Sequence, residues 1–168
     1  MPVELSCDLR GASRYATLLR REAAALMRLL EREDCELSIL LTSDRRMKQL
    51  NSYYRFRNRP TDVLSFAPDN EAEAAIVLGP GEYRPVDAIL MGDIAISLET
   101  AVRQACELRQ SVSLRLRTLL VHGVLHLLGY DHEGPRADAK LMFDYQDKLE
   151  AALDEAFKTT QTASEQAR

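Results

Sequence analysis

A chain of 168 residues, 46% apolar and 29% charged, has the size of one domain, and folding at this length buries roughly 70% of the unfolded surface without help from disulfides. This composition excludes a disordered or low-complexity chain, and a net charge of −4 excludes a wholesale coat for polyanions while leaving room for a local basic groove. The three cysteines, Cys7, Cys35 and Cys106, contain no CxxC pair, which argues against a disulfide framework or a cysteine zinc site and for a reducing compartment.

The start, Met1-Pro2-Val3-Glu4, lacks a basic-then-apolar leader pattern. The longest mostly apolar stretch, Leu119 to Leu128, is too short to span a bilayer and carries two histidines, so a soluble, cytoplasmic protein with no membrane partner is expected. Val3, Leu5, Cys7 and Leu9 alternate with polar residues and predict a strand. Ser13 is placed to cap a helix whose Ala16, Leu19, Ala23, Leu26 and Leu30 recur at helical spacing. Cys35 to Leu41 reads as a second strand. Asp44 to Tyr54 reads as a short helix, capped by Thr42 or Ser43, with Met47 and Leu50 inward. Asp62 to Ala67 reads as a strand, residues 68–87 as a loop or flap rich in Pro, Gly and acids, and Ala88 to Ile96 as the strongest strand. Ser97 caps a helix with Leu98, Ala101, Val102, Ala105 and Cys106 on one face; further helices run from about Ser111 to Leu128 and from Arg136 to about Phe157. The order predicts an α+β fold in a single domain over residues 1–157: about five helices on a small mixed sheet in one pair of layers, with residues 158–168 as a disordered tail. No GxGxxG or GxxxxGK[ST] signals a nucleotide site.

All three histidines, His122, His126 and His132, fall in one stretch, HGVLHLLGYDH. His122 and His126 are one helical turn apart and share a face; Gly129 stands where a helix would end in a left-handed turn, so the chain can double back and deliver His132 to the same point. Three neutral imidazoles plus water make the open tetrahedral site of a catalytic zinc. On the same helix Ser111, Arg115, Thr118, His122 and His126 form a polar stripe of about 80° among leucines and valines, costly to bury unless it faces a site or is fully paired. The segment copies the zinc-peptidase frame HExxHxxGxxH at its histidines and glycine, but Gly123 stands where the glutamate base belongs. From Arg45 to Arg59 the chain carries Arg45, Arg46, Lys48, Arg55, Arg57 and Arg59 with no acid, interleaved with Tyr53, Tyr54 and Phe56, a composition suited to phosphates and unpaired bases.

Residues 51–66, NSYYRFRNRPTDVLSF, resemble the NxxYRxxxxPTDVLSF signature of the YbeY family. Met91-Gly92-Asp93-Ile94 is similar to its GDI motif, HGVLHLLGYDH to its zinc motif, and Met142-Phe143 with Gln146 to its MFxxQ helix. The resemblance spans residues 40–150 in order. It departs at residues 68–87 and at Gly134-Pro135-Arg136, where the family is usually acidic. It implies a zinc-dependent, single-strand-specific endoribonuclease acting in maturation of the 3′ end of small-subunit rRNA and in ribosome quality control. It further implies one zinc on His122, His126 and His132, activity dependent on Arg55 and His122, and partners among single-stranded RNA, the small ribosomal subunit, a ribosomal protein and an assembly GTPase.

Arg55, Arg57 and Arg59 are then candidate substrate contacts, and Arg115 joins them from the stripe alone. Asp131 would orient a histidine or cap its turn, and Asp93 would line the cleft or serve structure. Water and the RNA's own 2′-hydroxyl both remain open as nucleophile. Two rivals stand beside this: a zinc-stabilised assembly factor that acts by binding, and a peptidase-like hydrolase.

Overall fold

The computed structural model describes residues 3–68 and 89–166. The loop or flap expected over 68–87 lies, from residue 69 on, outside the described residues. Among the described residues the elements are β1 (Val3–Cys7), α1 (Ser13–Leu29), β2 (Cys35–Thr42), α2 (Asp44–Arg55), β3 (Val63–Phe66), β4 (Ile89–Ser97), α3 (Leu98–Glu107), α4 (Val112–Leu127) and α5 (Arg136–Gln166). The four strands form one sheet in the order β1-β2-β4-β3, parallel from β1 to β4 and antiparallel between β4 and β3. Among the described residues this is the expected α+β fold, a mixed sheet with five helices.

Strand alternation sorts the core into two layers. Leu37, Ile39 and Leu41 of β2 and Ile94 and Ile96 of β4 face α1, α4 and α5. Leu40, Ala95, Leu64 and Phe66 point the other way, onto Met47 and Leu50 of α2. The sheet is therefore covered on both faces, not in the single pair of layers expected: a helix as short as α2 shows which of its sides is apolar, but not which side of the sheet it will cover. α4 lies in the thicker layer with no exposed face over much of its length, which is why its residues away from the cleft-facing stripe are mostly apolar.

Local chemistry sets the helix ends. Ser43, Ser97 and Ser111 each accept the N–H three residues on, from Arg46, Thr100 and Leu114. Ser13 does not cap: it is the first helical residue, and Ala12 at the cap makes no side-chain bond. Val102 and Cys106 of α3 are exposed, because that helix seats only on the shallow stripe of Ala101 and Ala105. The apolar periodicity ends near Phe157, yet the backbone stays helical to Gln166; no Gly or Pro interrupts the sequence there.

Two polar clusters fix helices to one another. Asp44, at the start of α2, accepts from the hydroxyls of Ser97 and Thr100 at 2.6 Å each and pairs with Arg103 at 2.7 Å, joining the N-termini of α2 and α3. Burial pushes the Asp44 carboxyl up, but these three donors outweigh it and hold the group below the usual carboxylate range. Arg117 of α4 donates to Glu22 of α1, which is 1% exposed, and to Asp154 of α5.

Candidate active site

Along α4 the stripe Arg115, Thr118, His122 and His126 faces a cleft of about 940 Å³. The helix ends in a Schellman turn: Tyr130 N–H donates to the Leu125 carbonyl and Gly129 N–H to that of His126, both at 3.0 Å, with Gly129 at φ 92°. Asp131 Oδ1 then accepts the Glu133 N–H at 2.8 Å, so His132 sits inside a second closed turn. The turn is thus Asp131's observed role. The two turns reverse the chain and bring the third imidazole back, with ring centroids 4.9 Å from His122 and 5.0 Å from His126.

The three rings fit a cation. One ligand atom from each lies within 4.8 Å of the others. The Nε2 atoms of His122 and His126 are 3.1 Å apart, close to the roughly 3.3 Å between tetrahedral ligands of zinc. His132 Nδ1 is buried with no hydrogen-bond partner among the described residues, an orphaned polar atom beside the place where the three rings converge. Burial, then the neighbouring imidazoles, holds His122 and His126 below the ordinary histidine value, so both favour the neutral form that binds metal; Gln146 offsets part of this at His122. His122 Nδ1 lies 3.0 Å from Gln146 Oε1 and donates to it, which leaves the Nε2 lone pair to face an ion. Gln146 Nε2 in turn donates to Glu150, which also accepts from Thr118 at 3.0 Å. Sequence reasoning missed this chain. Its signal was two i, i+4 pairs, Thr118 with His122 and Gln146 with Glu150, on helices that meet.

The opposite wall comes from the end of α2. Arg55 donates to the Ser65 carbonyl at 2.9 Å and lies 5.9 Å from the centre of the Phe66 ring. Beyond it Asn51, buried, receives the N–H groups of Phe56 and Arg57 on its carbonyl, and its side chain donates to the Arg59 carbonyl at 2.8 Å. One asparagine therefore shapes the turn that presents Arg57 and Arg59, a role the sequence had not revealed. All seven candidates, Arg55, Arg57, Arg59, Arg115, His122, His126 and His132, line the one cleft. Arg115 is already engaged there, with Nε on Gln104 at 2.8 Å and a second nitrogen 3.4 Å from Asp62. Asp93 is buried within β4 and lies outside the set of residues lining the cleft.

Gly123 shows why the peptidase frame is broken. A Cβ there would come within 3.1 Å of Ile94 and 3.2 Å of Ser65, because the helix rests on the sheet at this residue, and Ser65 Oγ donates to its carbonyl. A glutamate at 123 would press into the core. The cleft also holds Glu133 and Phe143, the latter 6.0 Å from His132 between ring centres.

A family model described as Endoribonuclease YbeY matches residues 10–154. A protein of that name from Anaeromyxobacter dehalogenans is 43% identical over 152 residues, 90% of this chain and 72% of that one. Another from Persephonella marina is 39% identical over 156 residues, 92% and 95% of the two chains. The solution structure of a protein from Thermotoga maritima, 24% identical, has the same fold, with a TM-score of 0.60 over 94% of this chain and 93% of that one. Because the matched residues include both walls of the cleft, from Asn51 and Arg55 through the histidines to Gln146, the chain belongs to the YbeY endoribonuclease family.

Proposed function

We propose that the protein is a zinc-dependent endoribonuclease that cuts single-stranded RNA, with the 3′ end of small-subunit rRNA as its cellular substrate and ribosome quality control as its wider setting. The observation that carries this reading is the juxtaposition in one cleft of three converging imidazoles and a ridge of arginines. Family membership supports the choice of RNA.

His122, His126 and His132 would hold the zinc, which when bound supplies Lewis-acid polarisation of a phosphoryl oxygen and a water of lowered pKa. Arg55 binds the scissile phosphate and offsets the charge that grows on it. Its anchoring on Ser65 and over Phe66 reduces the side-chain freedom lost in gripping substrate. Arg57 and Arg59 hold neighbouring phosphates in the turn that Asn51 shapes. Arg115 acts through Asp62 and Gln104 to hold the wall between α3, α4 and β3. Gln146 fixes the His122 tautomer. Partners on this reading are rRNA in the small subunit, a ribosomal protein and an assembly GTPase, and the setting is the cytoplasm. Among the described residues no helix is long and apolar enough to cross a membrane.

The test is a cleavage assay of wild type, Arg55→Glu and His122→Ala on matched single- and double-stranded RNA, with bound metal quantified in each. Metal-dependent cutting of the single strand is expected, lost in Arg55→Glu with metal retained and lost in His122→Ala together with metal. Tight RNA or ribosome binding without turnover would favour an assembly factor instead. Mapping the product ends assigns the nucleophile: a 2′,3′-cyclic phosphate marks the 2′-hydroxyl, a 5′-phosphate marks water.

A further inference from the structure

The segment from Arg55 to Arg59 is a wall with two sides. Arg55, Arg57 and Arg59 line the cleft, while Phe56 and Asn58 line a separate groove of about 960 Å³ behind it, together with Arg45, Lys48 and Tyr53 of α2. In this groove Phe56 is 92% exposed and Tyr53 72% exposed. Phe56 also takes φ 55°, a left-handed conformation that bulky residues rarely adopt. Ending α2 calls for Gly or Asn at that point, so neither packing nor helix termination accounts for a phenyl ring held there in water. Tyr53 is held in place: its ring meets Tyr54 edge-on at 4.8 Å, and Tyr54 meets the buried Phe66 at 5.2 Å.

The charges around these rings have one sign. No acid occurs between Arg45 and Arg59, and among the described residues no carboxylate pairs with Arg45, Lys48 or Arg57. Exposed aromatic faces among unpaired cations suit single-stranded nucleic acid, whose bases stack while its phosphates are neutralised. The groove and the cleft thus flank the same five-residue segment, with Arg55, Arg57 and Arg59 lining one and Phe56 and Asn58 the other.

We propose that the groove is a second strand-binding site, in which nucleotides flanking the scissile phosphate cross the Arg55 to Arg59 ridge and stack on Tyr53 and Phe56. It rests on the ribonuclease reading of the cleft and extends it. The site gives the enzyme a preference for unpaired segments long enough to reach from one side of the ridge to the other.

The experiment compares full-length wild type, Tyr53→Ala with Phe56→Asn, and Tyr53→Phe with Phe56→Tyr. The substrates are oligoadenylates of about 4 and about 16 nucleotides, and the readouts are Kd by fluorescence anisotropy and kcat/KM. The Ala/Asn variant is expected to lose affinity for the long strand about tenfold or more beyond any loss on the short one, and the ring-preserving variant to restore it. Both side chains are exposed and Asn tolerates the left-handed turn, so unchanged circular dichroism is expected throughout. An Ala/Asn variant that matches wild type on the long strand overturns the proposal. So does equal loss on both lengths, or a loss of ribosome association with RNA affinity intact, which would make the groove a protein-docking face. A wild type that cuts neither length yet binds the long strand through these rings refutes the nuclease reading and keeps the groove. A wild type that cuts both, with the Ala/Asn variant its equal, refutes the groove alone.

Discussion

His122 and His126 come together through helical spacing, but the orientation of His122 is decided by another helix. Gln146 of α5 takes its Nδ1 side, and Glu150 fixes Gln146 in turn. Partners of this kind typically contribute 10–100-fold to metal affinity. Gln146→Leu is therefore expected to weaken zinc binding by about that factor, read by chelator competition, with the fold intact. His126→Ala is expected to lose the metal altogether and, because binding energy is folding energy, to lower the unfolding midpoint as well. Burial favours the neutral form of His122 and His126 in the folded protein, so the folded values of these two lie below the unfolded one of about 6.5. As pH falls through that value the unfolded chain binds more protons than the folded one, and stability drops; above it these groups contribute no slope. Urea titrations of metal-free protein at pH 8, 6.5 and 5 should show the loss only on the acid side. The trio itself was legible from residue spacing. Gln146 was legible only as part of a motif, Thr118 only as a member of the polar stripe, and Glu150 not at all, since the link between them exists only in the register between two helices.

At the scale of elements, closeness depends on small residues. β4 carries an irregularity where Glu36 and Leu37 pair with Leu90 and Gly92, and Gly92 takes φ 135° there. A Cβ at Gly92 would lie 2.5 Å from the Phe66 carbonyl oxygen and 2.8 Å from a Leu127 methyl. The glycine thus lets β3 and the end of α4, the two elements that bound the cleft, approach the same strand. Gly92→Ala combines overpacking with a left-handed strain and is expected to cost about 3 kcal/mol or more, measured by urea unfolding. By contrast nothing lies within 4 Å of a Cβ at Gly129, where only the backbone angle demands glycine. The elements themselves were legible from periodicity and serine caps. The placement of α2 was not, because amphipathicity fixes a helix's apolar side and leaves open which face of a sheet receives it.

Across the whole molecule, one guanidinium ties three helices that are distant in sequence. Arg117 joins Glu22 of α1 to Asp154 of α5, with Glu22 almost wholly removed from water. The Arg117 pKa is raised because, although burial opposes the charge, the two carboxylates more than offset it. Removing one partner of a buried pair typically costs 3–5 kcal/mol, most of it the stranded charge. Arg117→Met is therefore expected to destabilise by about that much, whereas Arg117→Met with Glu22→Leu should recover most of the loss; a double-mutant cycle in urea measures the difference. Asp154→Ala should cost far less, since that carboxylate is half exposed. The sequence does not announce this tie, for Glu22 and Arg117 sit in ordinary helical positions and acquire meaning only when α1 and α4 are packed.

The three imidazoles all lie between residues 122 and 132, whereas the arginine ridge comes from residues 55–59. A denatured chain keeps its histidines as near neighbours even after the ridge has drifted away. If zinc is the ion these rings hold, such a chain is expected to retain some affinity for it, and ligand that associates with both states stabilises the native one by less than its native affinity alone would give. On the proposed reading, added zinc is expected to raise the melting temperature by less than the native dissociation constant predicts, while cutting activity, which on that reading needs both walls, is expected to disappear at the first global opening.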